Sequence, residues 1–231
     1  MRKQRIDGQE TRRNLLASAS EIFAKKGFRD ATIAEICRQA NANVAAANYH
    51  FGGKEALYVQ SWRFAFTKSL NTYPPNGGVA EDAPIEEQLR GRIMAIMRRV
   101  IDPQSYELDI FYNEMANSTG LLAETVQQSI EPIFRGFAAI VKELLGTQPS
   151  EQQVRLCIMS IHAQCFGPLM RERRRKIISP DPLPARSEWN LDDLETLVDH
   201  VTRFSLAGIR EIRMWMESAV RTKKKAYCSD S

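Results

Sequence analysis

Apolar residues recur at helical spacing along most of this chain, and no stretch alternates with the period of a strand. The clearest pattern lies in FRDATIAEICRQANANVAAANYHFGGK, residues 28–54. Thr32 stands just before an apolar run and Glu35 follows three residues later, the spacing of a capping box. Ile33, Ile36, Cys37 and Ala40 then fall at i, i+3, i+4 and i+7, so residues 32–40 predict a short helix with one apolar face. Asn41 follows where the chain must turn, and Asn is the non-glycine residue that best tolerates a left-handed backbone. Asn43 is placed to cap a second short helix, 43–50, built mostly of small side chains. Two short helices joined by so tight a turn predict a helix-turn-helix, whose second helix is the one that enters a DNA major groove.

The flanking pattern extends this into an all-α chain. A first helix is expected over 7–27, with Asp7 and Glu10 as a second capping box and with Leu15, Leu16, Ala19, Ile22 and Phe23 as its buried stripe. Gly27 ends it as a left-handed residue would. Ahead of it, Arg2, Lys3 and Arg5 fit either a solvated tail or an arm on a phosphate backbone or minor groove. Gly52 and Gly53 break the chain before a linking helix of about 54–70 that carries Leu57, Tyr58, Trp62, Ala65 and Phe66. The Pro-, Gly- and Asn-rich residues 71–84 form a loop. Helices follow over 85–102, 104–117, 121–145 (kinked at Pro132), 150–174 (apolar on most sides) and 191–217. The expected organisation is an N-terminal three-helix helix-turn-helix domain, 1–54, a larger helical ligand-binding and dimerisation domain, 55–220, and a basic flexible tail, 221–231. Pro180, Pro182 and Pro184 preclude helix between the last two elements. The basic cluster Arg171, Arg173, Arg174, Arg175 and Lys176 just before them fits a solvated helix end, or a site for an acidic partner or nucleic acid.

Charge sharpens the picture once it is divided. The net charge is +4 over 231 residues, but residues 1–54 hold ten Lys or Arg against five Asp or Glu, a balance of +5. The other 177 residues hold 22 against 23, a balance of −1. Positive charge gathers where phosphates would be neutralised. No apolar run approaches the ~20 residues that span a bilayer, and the N-terminus lacks the apolar core of a secretory signal, so a cytoplasmic protein without membrane attachment is expected. The four cysteines show no CxxC pairing, which fits free or buried thiols in a reducing compartment.

Catalytic signatures are missing. FGGK lacks the Gly five residues before its GK and the Ser or Thr after it that a phosphate loop needs, since Asn48 and Glu55 stand there. HExxH, GxSxG and metal-spaced Cys/His clusters do not occur, so neither an enzyme nor a cofactor is expected. His162 and Cys165, three apart on one helix, lack a third group to orient them.

The order Gly27-Phe28, Thr32, Ile33, Ile36, Ala40, Tyr49-His50-Phe51, Lys54, Glu55, Leu57 resembles the DNA-binding domain of TetR/AcrR regulators. The segments around MSIHAQCF and NYHFGGKEALY are similar to the CecR-type subgroup, which is associated with antibiotic-responsive control of transporter genes. Asn41-Ala42 replace the usual Gly-Val of the turn, and Asn48 replaces a usual aromatic, so no base preference carries over. The resemblance implies a dimeric regulator, most simply a repressor, of a palindromic operator, released by a small effector. Activation, or DNA binding indifferent to sequence, remain alternatives.

The expected DNA-binding residues are Thr32, Asn43, Val44, Ala45, Asn48, Tyr49, His50 and Lys54. Val and Ala methyls suit a thymine methyl, Asn48 suits adenine, and Tyr49 and His50 suit phosphates. Thr32 and Lys54 lie near helix N-termini, which favour anions. His50 also fits a surface histidine without a role. In the resembled family the last two long helices pair across a two-fold axis. Here Cys157, Ile161, Leu169, Leu194, Leu197, Val201, Phe204 and Gly208 mark that interface. A largely apolar effector site among the middle helices is assigned to Trp62, Phe66, Met97, Phe111, Tyr112, Met115, Phe134, His162 and Phe166, with Met94 and Cys165 near them. For each of these, plain core is the competing reading.

Overall fold

The computed structural model describes residues 2–146, 148–178 and 193–229. Among them are nine α-helices and no strand. They are α1 (Arg2–Asp30), α2 (Ile33–Gln39), α3 (Val44–Phe51), α4 (Lys54–Thr72), α5 (Ile85–Ile101), α6 (Tyr106–Ala116), α7 (Ala123–Leu145), α8 (Glu151–Ile178) and α9 (Leu194–Ser229). The all-α class and the element order follow the hydrophobic pattern. Two ends do not. α1 begins at Arg2, ahead of Asp7, and α9 continues through residues 221–229, where the pattern expects a flexible tail. Both segments lack proline and are rich in Lys, Arg, Gln or Ala, which lose little freedom in a helix. α8 likewise runs on to Ile178. Pro180, Pro182 and Pro184 lie outside the described residues. No described helix is long and apolar enough to cross a membrane.

By packing, the chain divides into two compact units: Met1–Thr72 with Asp102–Glu131, and Tyr73–Ile101 with Pro132–Ser231. This differs from the functional division expected at residue 54, because α4 and α6 pack against α1. The later division falls inside α7, between Glu131 and Pro132.

In the first unit Leu15, Leu16, Ala19, Ile22 and Phe23 of α1 are all buried, as the stripe predicts. Phe23 meets the Tyr58 ring edge-on at 4.8 Å, and Phe28 lies 5.0 Å from the same ring. Gly27 breaks α1 with φ 72° and ψ −179°, a conformation essentially confined to glycine. The carbonyls freed at that break are met from α6, where Asn113 Nδ2 donates to Ala24 O at 2.8 Å. Glu114 is the polar centre of the unit. Its buried carboxylate accepts from Tyr58 Oη (3.1 Å), Thr119 N (2.8 Å), Thr119 Oγ1 (2.9 Å) and Gly120 N (2.9 Å). Burial and this neighbouring charge push the Tyr58 hydroxyl well above its ordinary pKa, so it stays a donor. Trp62 Nε1 donates to Glu107 O at 3.1 Å, which satisfies a fully buried indole.

In the second unit α5 packs against α8 and α9, and α8 against α9. Leu89, Ile93, Met97 and Val100 of α5 meet a core completed by Val141, Ile158, Ile161, Cys165, Val198 and Val201. Cys37, Cys157 and Cys165 are buried free thiols. Arg90 forks to Glu195 Oε2 (2.6 Å) and Asp199 Oδ1 (2.8 Å), tying α5 to α9 at the surface. Arg173 departs from the expected solvated cluster: it is buried, and its Nη1 donates to Val100 O at 3.0 Å, near the end of α5. A C-terminal carbonyl needs such a donor because the helix supplies none. Arg171 of that cluster is exposed, and the side chains of 174–176 lie outside the described residues.

The loop after α4 lies against α5 backbone to backbone. Gly77 has φ 66°, and a β-carbon there would sit 2.1 Å from Gly91 O. A β-carbon on Gly91 would lie 2.5 Å from Asn76 O and 2.6 Å from Val79 Cγ2. Gly91→Ala is therefore expected to lower stability by about 1–3 kcal/mol, the range for overpacking a closed contact, as read by urea denaturation against the parent. An unchanged midpoint and slope would mean that the loop does not seat on α5.

Candidate nucleic-acid interface

The expected helix-turn-helix forms from α2 and α3. Thr32 Oγ1 accepts from Glu35 N at 3.2 Å and so caps α2. The reciprocal half of the expected capping box is diverted, because Glu35 turns its carboxylate to Lys26 Nζ at 2.6 Å. Asn41 takes φ 52°, the left-handed conformation that its position requires, while Ala42 N donates to Cys37 O at 2.9 Å across the turn. Asn43 Oδ1 accepts from Ala46 N at 2.7 Å and caps α3. At the other end Gly52, with φ 77°, closes α3 by donating its N–H to Asn48 O at 2.8 Å.

α3 is anchored by Ala47 and Phe51, its buried residues. The Arg12 guanidinium lies 5.4 Å from the centre of the Phe51 ring, which ties that anchor to α1. The opposite face presents Val44, Ala45, Asn48 and Tyr49, all exposed, with Tyr49 86% open to solvent. These four fall at i, i+1, i+4 and i+5, one continuous side of the helix. His50 is half-buried and meets the Tyr49 ring edge-on at 5.2 Å.

Two of the expected contacts are engaged within the protein. Lys54 Nζ donates to Arg29 O at 3.2 Å and sits 4.7 Å over the Phe28 ring, so it holds the last turn of α1 as well as opening α4. The Asn43 side-chain oxygen is spent on its cap, leaving only its amide donors for an outside partner.

The residues assigned to an effector divide between the units. Trp62, Phe66, Phe111, Tyr112 and Met115 belong to the first, and Met97, Phe134, His162 and Phe166 to the second. Trp62 and Phe66 stack at 4.9 Å within the core, whereas Met115 is 67% exposed. In the second unit the His162 ring meets Phe137 at 5.2 Å and Phe166 at 6.0 Å, and burial lowers its pKa below the ordinary histidine value.

Of the residues assigned to an interface, Leu169 and Val201 are turned inward and buried by the chain itself. Leu194 and Leu197 are half-buried. Cys157, Ile161, Phe204 and Gly208 line a groove of about 200 Å³ between α8 and α9, together with Leu156, Ser160, Gln164 and Ile212. Among the groove residues, sequence reasoning passed over Leu156, Ser160, Gln164, Ser205, Ile209 and Ile212, although the lining repeats every four positions, at 156, 160 and 164 on one helix and at 204, 208 and 212 on the other. Phe204 at 61% exposed, Met159 and Trp215 leave this side apolar.

A capped helix pair with a tight left-handed turn, on a basic N-terminal segment, defines a helix-turn-helix DNA-binding regulator. Comparison with known proteins specifies it further. Residues 15–60 match the bacterial regulatory proteins of the tetR family, and residues 85–209 match the C-terminal domain of the HTH-type transcriptional dual regulator CecR. CecR of Shigella flexneri is 43% identical over 200 residues, 82% of this chain and 86% of that protein. SrpR of Pseudomonas putida is 27% identical over 130 residues, 55% of this chain and 58% of that protein, so this match spans less than two thirds of it. Among solved structures, the fatty acid degradation regulator FadR of Bacillus halodurans superposes with a TM-score of 0.64 at 15% identity, covering 87% of this chain and 96% of that one. The chain belongs to the TetR family of transcriptional regulators, in its CecR-type branch. Its relatives and fold are those of regulators, not enzymes.

The caps give a test of the local geometry. Asn43→Ala removes the acceptor for Ala46 N, so stability is expected to fall by about 1 kcal/mol. Thermal unfolding of the two proteins measures it, and an unshifted transition would show that the cap is dispensable.

Proposed function

We propose that this protein is a ligand-responsive homodimer that represses transcription by occupying a palindromic operator, and that a small, largely apolar effector releases it. The observation that carries this reading is the free face of α3. Val44 and Ala45 are short enough to bring the helix backbone close to the groove floor, and their methyls suit thymine. Asn48 reads adenine, and Tyr49 donates to a phosphate. His50 and Thr32 support the phosphate contacts. Lys54 contributes a positive charge while it holds Arg29 O.

One helix reads only a few base pairs, so two copies must act together. The α8–α9 groove, with small Ser160, Ser205 and Gly208 and the exposed Phe204 beside them, supplies a self-complementary surface for a second copy. A dimer sets its two reading helices about 34–36 Å apart, one turn of the duplex or a multiple of it. An effector favouring another spacing lowers operator affinity by linkage. Within the second unit, Met97, Phe134, His162 and Phe166 form its apolar surroundings. Trp62 and Phe66 serve the core of the first unit, and Tyr112 and Met115 its surface. The protein works in the cytoplasm, where its operator lies. A second reading, activation at some promoters beside repression at others, is favoured by the "dual regulator" name of the Shigella flexneri relative.

Selection from random DNA is expected to return an inverted repeat; recovery of no preferred sequence would leave a sequence-tolerant binder instead. On the selected site, Asn48→Ala should cost about 1–3 kcal/mol at one base-pair position of each half-site and little elsewhere. Tyr49→Phe should weaken every sequence alike, by about 0.5–1.5 kcal/mol for one lost hydrogen bond. For the dimer, Phe204→Glu is the informative change because Phe204 is exposed, whereas a charge at buried Val201 would unfold the chain. Phe204→Glu should sediment as a folded monomer, and a persistent dimer would put the interface elsewhere.

A further inference from the structure

Arg92 stands apart from the other arginines of the second unit. Arg90, two residues earlier, is paired with Glu195 and Asp199, and Arg173 donates to Val100 O. The Arg92 Nε is shut off from solvent and has no hydrogen-bond partner. Burial alone acts on the group, lowering its pKa, and no charged neighbour offsets that effect. Arginine nevertheless remains protonated. The fold therefore keeps a half-buried cation without a counter-charge, an arrangement that costs stability.

The fold also makes room for it. Arg92 lies against α7 at Gly136, where a β-carbon would be 2.9 Å from Nη2, 3.3 Å from Nη1 and 3.4 Å from Cζ. Any side chain at 136 would displace the guanidinium. The next residue, Phe137, carries the ring that His162 meets edge-on, and Phe166 closes the other side of that imidazole. A guanidinium and an imidazole thus approach the same turn of α7, from α5 and α8. Neither has a polar partner among the described residues.

We propose that Arg92 is the counter-charge for the effector, which is an organic oxyanion: an aromatic or aliphatic body against Phe137, His162 and Phe166, bearing a carboxylate or phosphate group that meets the guanidinium. This rests on the ligand-responsive reading above and narrows its effector class. The planar fork of arginine donates to two oxygens of such a group side by side, and a desolvated site strengthens the pair. Coupling to the rest of the chain is short. Arg92 follows Gly91, whose carbonyl supports Gly77 in the loop that continues from α4. Pulling the guanidinium toward an anion acts one residue from that contact.

The test uses the full-length dimer on its selected operator. Probes are matched sets of aryl and long-chain alkyl carboxylates, their phosphate-ester counterparts, and the corresponding neutral amides and alcohols. Operator release is followed by fluorescence anisotropy for the parent, R92M and R92K. The anionic members are expected to release the parent at concentrations about tenfold or more below their neutral partners, the loss that attends removal of one charged partner. R92M should erase that preference and R92K should restore part of it. Which anion class prevails separates a carboxylate from a phosphate effector. Unliganded R92M should also melt at or above the parent temperature, since it removes an uncompensated charge. A lower melting temperature for R92M would make Arg92 a structural residue, and an anion preference that is absent from the parent or survives in R92M would overturn the proposal. If neither charged nor neutral probes release a specifically bound operator, the ligand-responsive reading falls, and this proposal with it.

Discussion

The placement of α3 depends on the burial of one apolar stripe. α1 touches α2, α3, α4 and α6, and it does so through Leu15, Leu16, Ala19, Ile22 and Phe23. Burying each larger member of that stripe is worth about 1.5–3 kcal/mol, so the stripe outweighs any single polar contact near it. Polar groups then fix the angles that burial leaves free. Asn113 seals the carbonyls ahead of the Gly27 break, and Glu114 collects Tyr58 and the turn at Thr119 and Gly120. Both come from α6, far along the chain. The unit that carries α3 is therefore completed by a segment that follows the linking helix, and a mutation near residue 114 reaches α3 through α1 and α4.

The second unit has a different character. It has its own buried core and leaves more unresolved at its margins. An apolar groove runs between α8 and α9, and Arg92 lies half-buried without a counter-charge. In the first unit the Tyr58 hydroxyl, the Trp62 indole and the Glu114 carboxylate all find partners within the unit. In the second unit Arg92 Nε lacks such a partner among the described residues. A half-buried charge without a partner costs stability, whereas paired groups such as those around Glu114 do not carry that cost.

The sequence made the helices legible because burial follows the 3.6-residue period closely, and the turn legible because Asn41 has few alternatives for its conformation. The caps at Thr32 and Asn43 were equally plain. What periodicity does not encode is partner choice between distant segments. Nothing in residues 104–117 announces that they pack on α1, so the packing boundary after Thr72 was out of reach. The same limit applies to side chains with two possible partners. Glu35 has the spacing of a capping box, yet a lysine brought close by the fold takes its carboxylate. Arg173 reads as one of a solvated cluster, yet α5 ends beside it. Val201 and Phe204 look alike on an apolar helix, and only packing tells that one faces in and the other out.

The residues on the outer face of α3 carry little of the protein's own packing. Val44, Ala45, Asn48 and Tyr49 are exposed, while Ala47 and Phe51 hold the helix from behind. Mutations at those four positions are shielded from the usual penalty for altering a folded core. The outer face of α3 can thus change residue by residue while the anchorage that holds the helix in place stays untouched.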